Sequence, residues 1–198
     1  MSMTEDLWHR LAGDVERVDS VAGRALHAVV RDRAAPLRIQ VAGRVGTGFR
    51  SVRDAVRASA GADGTVEVES VAVDVPDTAD PVFDGDVVVY AVPVRLDPAS
   101  VHPADRSALS HIDARRVVVV VVGGTVEHVD PIAATLGLGA FAVGDPALTD
   151  AIAARLAAAS RLRDEHLVRM VAGIAATPAA RDLIEAALDA ANLSRRVS

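Results

Sequence analysis

Apolar residues recur every three or four positions near the start of the chain, at Leu7, Leu11, Val15, Val18, Ala22, Leu26 and Val29. That period predicts one long amphipathic helix over residues 4–33, with Thr4 as its N-cap and Pro36 as its stop. The pattern then changes. LRIQVA (37–42) reads as a strand, GRVGTG (43–48) as a glycine-rich turn, and SVRDAVRASA (51–60) as a short helix closed by GADG at 61–64. VEVESVAVDV (66–75) alternates as a strand does, and DVVVYAVPV (86–94) is a second strand with Pro93 near its end. Pro103 opens a helix over 103–112, since proline suits a first helical turn. RRVVVVVV (115–122) is continuous and β-branched, the pattern of a strand buried on both faces of a parallel sheet. A short helix over 128–137 and a last strand over 140–144 follow. Two helices end the chain, one from Pro146 to about Ala175 and one opening at Thr177-Pro178, with Thr177 as cap.

Strands thus alternate with helices through the middle of the chain, which predicts an α/β fold with a mostly parallel sheet covered on both faces. The organisation expected is an N-terminal amphipathic helix (1–33), an α/β core (34–160) and C-terminal helices (161–198). A second apolar stripe runs through Ile152, Leu156, Leu162, Met170, Val171 and Ile174. The matching stripes therefore let the terminal helices pack on each other.

Composition narrows the chemistry. The chain has 198 residues, half of them apolar (51%), enough to bury a core without disulfides or metal. It has no cysteine, so thiol nucleophiles and thiolate metal sites are excluded. All 21 basic residues are arginine, so Schiff-base chemistry and a lysine grip on phosphate are excluded as well. A net charge of −6 argues against broad nucleic-acid binding. The N-terminus has early acids and no unbroken apolar stretch, unlike a secretory signal, and Val117–Val122 is far short of the ~20 residues that span a bilayer. The expectation is a cytoplasmic protein with no transmembrane segment.

In an open α/β sheet, ligands bind beyond the carboxyl ends of the strands. The first strand–helix turn here, from Gly43 to Ser51, has the spacing G-x-x-x-x-G that begins a phosphate-binding loop. Its glycines can turn backbone N–H groups inward as an anion nest. The loop should continue Lys-Ser/Thr, but Phe49 and Arg50 stand there.

LRIQVAGRVGTGFRSVRDAV resembles the first strand, phosphate loop and first helix of the dynamin-like and Era-like GTPases of bacteria, where the pattern is GRVxxGKST. The resemblance continues in order for about 125 residues. Val73-Asp74-Val75-Pro76-Asp77 is similar to the D-x-P-G magnesium and γ-phosphate motif, with Asp77 in place of glycine. Val117–Val122 resembles the strand before the guanine-reading N-K-x-D, although Gly123-Gly124-Thr125-Val126 stands where that motif belongs. The resemblance implies a three-layer P-loop GTPase-like fold with flanking helices at both ends, and in the dynamin-like family such helices form a partner-binding bundle, the alternative to packing on each other. The degenerate nucleotide or phosphate site it implies is Gly43, Gly46, Thr47, Gly48, Arg50, Ser51 and Asp74.

The departures point away from turnover. The lysine, the magnesium-holding hydroxyl and the base reader are all missing. Only about five residues separate the first helix from the next strand, which leaves little room for a switch loop. Phosphoryl transfer depends on positioning and neutralising phosphates. The expectation is a pseudo-GTPase with no catalytic residue and no assigned metal, acting as an interaction or regulatory module on a related GTPase or on itself. The alternative is a GTP- or GDP-binding protein without efficient hydrolysis. A Rossmann-type enzyme is a weaker third reading, because the G-x-G-x-x-G spacing is absent.

Individual residues carry paired readings. The loop is a phosphate nest or a plain tight turn; Arg44 and Arg50 grip phosphate or face solvent; Phe49 plugs the vacated site or fills core. Asp74 is a residual metal ligand or a strand-end residue, and with Asp77 it makes a pair of acids that holds a cation or is simply an Asp-rich turn. Glu127, His128 and Asp130 lack zinc spacing, and His102 and His111 lack partners in the sequence.

Overall fold

A computed structural model describes residues 3–60, 64–97 and 100–197. Seven α-helices and five strands follow one another as α1 (Met3–Val18), α2 (Ser20–Ala34), β1 (Leu37–Arg44), α3 (Phe49–Ala60), β2 (Val66–Val73), β3 (Val87–Pro93), α4 (Pro103–Ser110), β4 (Val117–Val122), α5 (Val129–Leu136), β5 (Ala140–Ala142), α6 (Pro146–Ala172) and α7 (Pro178–Val197). A 3-10 turn, Val126–His128, precedes α5. The chain divides into a helical unit, residues 1–35 with 161–198, and an α/β unit, residues 36–160.

In the helical unit the predicted single N-terminal helix is two helices, and Thr4 lies inside the first rather than capping it. The break is at Asp19, whose extended backbone (φ −151°, ψ 95°) leaves the helical region. Its carboxylate accepts from the N–H groups of Val21 (3.2 Å) and Ala22 (3.1 Å), which makes it the N-cap of α2. The second carboxylate oxygen accepts from the Thr177 N–H at 2.9 Å, just ahead of α7. One side chain therefore fixes two helix starts. The terminal helices pack on each other around Trp8, Leu11, Val15, Leu26, Leu167, Val171 and Ile184. The expected C-terminal stripe is only partly used here: Val171 is buried, Ile174 packs beside it, and Leu162 and Met170 are exposed.

The α/β unit is a five-stranded, all-parallel sheet of order β2-β1-β3-β4-β5. Alternation in β3 sends Val88, Tyr90 and Val92 to one face and Val87, Val89 and Ala91 to the other. The first face is covered by Leu109 of α4 and Ile132 of α5, the second by Val52 and Val56 of α3 with Leu148 and Ile152 of α6. Ile152 and Leu156 thus serve this core, not the helical one. The result is a three-layer α/β arrangement, in which β-branched strands are buried on both sides. The strands over 66–75, 86–94 and 140–144 are shorter than expected, and β1 longer, reaching Arg44. The helices over 103–112 and 128–137 likewise end earlier, and α6 stops at Ala172, where Gly173 N–H bonds back to Arg169 and Met170. Most of the GADG turn lies outside the described residues. Among those described, no helix is long and apolar enough to cross a membrane.

The Thr177 N–H, then that of Ala22, hold the Asp19 carboxyl below its usual 3.8. The folded state therefore binds this proton less tightly than the unfolded chain. Its stabilisation is complete above the unfolded pKa and fades as pH falls through the folded one. Asp19→Ala should lower the thermal midpoint at neutral pH, and the gap from the parent should narrow below about pH 4. Thermal unfolding followed by circular dichroism across that range checks it.

Candidate functional site

Order β2-β1-β3 places a switch point at β1, since β2 is laid on one side of it and β3 on the other. The carboxyl ends of these strands are where an open α/β sheet offers a crevice. Arg44 is in register with Val73 across β1 and β2, so the loop after β1 and Asp74 after β2 emerge side by side. The fold therefore brings Gly43, Gly46, Thr47, Gly48, Arg50, Ser51 and Asp74 to one edge.

The loop itself is a tight turn made possible by glycine: Gly46 and Gly48 have φ of +83° and +79°. Its hydroxyls are spent internally. Thr47 Oγ1 donates to the Arg44 carbonyl and Ser51 Oγ to the Gly48 carbonyl, each at 2.7 Å. Phe49, at the position where the resemblance expects lysine, is partly buried and packs onto the core that holds Val52, Val118, Val120 and Leu148. Gly43 makes room for it, because a Cβ there would lie 3.1 Å from the Phe49 Cβ. Phe49 is core filling under the turn. Arg50, in the first turn of α3, is exposed and enters no ion pair among the described residues.

Arg44 neither faces solvent nor waits for phosphate. Its Nε lies 3.1 Å from both carboxylate oxygens of Asp105, in the first turn of α4. The Asp105 side chain is 1% exposed and that of Arg44 20%. The Tyr90 hydroxyl, from the middle of β3, donates to the same carboxylate at 3.1 Å. Burial above all, then the Asp105 charge, pushes the Tyr90 phenol far above its usual range, so it remains a donor. One buried anion thus joins β1, β3 and α4.

Neither Tyr90 nor Asp105 stood out from the sequence pattern. Tyr90 left a signal: it is the only tyrosine, inside an otherwise aliphatic strand, and a buried phenol needs a partner. Asp105 left none, since an acid in a first helical turn already suits the helix dipole.

The remaining candidates divide. Asp74 and Asp77 are exposed and adopt left-handed backbone, φ 58° and 59°. His128 Nδ1 accepts from the Thr125 N–H at 3.1 Å and closes the 3-10 turn. His102 Nδ1 accepts from the Ala104 N–H at 3.2 Å and caps α4. Among the described residues, no three His, Asp or Glu side chains stand close enough to hold a metal ion. Compared with models of known families and with curated protein sequences, the chain matches none.

Removing one member of a buried pair strands the other charge. Arg44→Met should therefore cost about 3 kcal/mol, and Tyr90→Phe about 1 kcal/mol. Arg44→Met combined with Asp105→Leu should cost less than the sum of the two single changes. Urea denaturation of the four variants measures all three expectations.

Proposed function

We propose that the α/β unit is a degenerate GTPase-like module that does not turn over nucleotide and acts through a protein partner, either a related active GTPase or a second copy of this chain. The observation that carries this reading is the use made of the loop's side chains. Phe49 is committed to the core, and the Arg44 charge is committed to Asp105. Phosphoryl transfer needs cations at the phosphates, and the loop is left with Arg50 alone. Thr47 and Ser51 add no free donor, because both hydroxyls bond to loop carbonyls.

A second reading, nucleotide binding without hydrolysis, is favoured by Arg50. It is exposed at the start of α3, enters no ion pair among the described residues, and lies two positions after Gly48, the second of two glycines with positive φ. Guanidinium groups bind phosphate well, and a helix start favours an anion.

Phosphate release from GTP with magnesium, together with thermal unfolding in GTP, GDP or ATP, separates the readings. The module reading expects no turnover and no shift at millimolar nucleotide. A bound nucleotide at 100 times its Kd would instead add ~2.7 kcal/mol of stability. Such a shift, lost on Gly48→Asp with Arg50→Ala, would establish the second reading. Magnesium-dependent turnover abolished by the same change would overturn the first.

A further inference from the structure

A cavity of about 440 Å³ opens between the chain that follows β2 and helix α4, and Asp74 at its rim is shared with the edge that carries the glycine turn. Its size is that of a small-molecule site. Its apolar lining includes Val73, Phe83, Ala104 and Ala108. Its charged lining is Asp74 and Asp80, both exposed and neither ion-paired among the described residues.

His111 also lines the cavity. Its Nδ1 lies 2.8 Å from the Ser107 carbonyl, which can only accept, so Nδ1 carries the proton and donates. In the neutral ring, Nε2 is left with a lone pair. The lining therefore offers two carboxylates and an imidazole acceptor, and among the described residues no arginine belongs to it.

The walls are held in place. The Arg116 guanidinium donates to the carbonyls of Phe83 (3.2 Å) and Gly85. Gln40, buried in β1, accepts from the Gly85 N–H and donates to Asp84, both at 2.9 Å. These bonds anchor the return of the chain to the sheet beside the cavity without using any of its polar lining.

We propose that this cavity binds a small organic cation, an amine with an apolar body. The ammonium pairs with the Asp74 or the Asp80 carboxylate, and the body lies on Phe83 and the α4 alanines. The proposal does not rest on the glycine turn holding a nucleotide, although Asp74 borders both sites.

Phenethylamine and its neutral counterpart 2-phenylethanol are the probes, titrated calorimetrically into the full chain. The amine should bind at least about tenfold more tightly, the worth of one charge-assisted hydrogen bond. Asp74→Asn with Asp80→Asn should remove that preference, and Ala108→Leu should block the amine by filling the cavity. Equal binding of amine and alcohol overturns the proposal, as does amine binding that survives Ala108→Leu. Absence of amine binding up to about 10 mM overturns it as well. The first and last outcomes are read on the unaltered protein, so they do not depend on the variants folding.

Discussion

A carboxylate shut away from water must find its compensation inside the fold, and Asp105 finds it in two strands at once. Arg44 neutralises it from the end of β1, and Tyr90 donates from the middle of β3. Neither partner is replaceable by solvent, so the seating of α4 on the sheet and the path of β1 into the glycine turn are settled together. The same pairing explains why a turn that carries two arginines presents only one of them. A charge used for architecture is not available for ligand, and this divides the edge of the sheet into a neutralised part and a free part at Arg50.

The alternation of strands and helices was legible because periodicity reports burial. Continuous valine in β4 could only mean a strand covered on both faces, and that is its place in the sheet. The break at Asp19 was not legible, for a physical reason. Val15, Val18 and Ala22 keep helical spacing across it: Val15 and Ala22 serve the same core from the two helices, and the exposed Val18 fills the spacing between them. The available clue was local: aspartate before a serine is a good N-cap and a poor helix interior. The stripe on α6 misled in the opposite sense. One periodic pattern served two different cores, with Ile152 and Leu156 in one and Val171 and Ile174 in the other.

At the site, sequence order placed the glycine turn and Asp74 but not their surroundings. Arg44 and Asp105 are 61 residues apart, and nothing local about either announces the other. The fate of Phe49 was open for the same reason, since an aromatic can plug a site or fill a core with no change in pattern. The cavity left a trace that was visible but unused: the connection between β2 and β3 is long for an α/β unit, and long connections often carry binding surfaces.

The strand order bears on how the sheet is assembled. After β1 and β2 have paired, β3 adds to the free side of β1, β4 to β3 and β5 to β4, so the sheet grows at a single advancing edge. Chain synthesis delivers the strands in that same order. The six-valine β4, which alone would be an adhesive segment, lies between the β3 edge and the short β5, the strands that precede and follow it in the chain. Refolding from a full-length denatured chain forfeits that sequence of arrivals, because every pairing in a parallel sheet is non-local and the valine run is exposed from the outset.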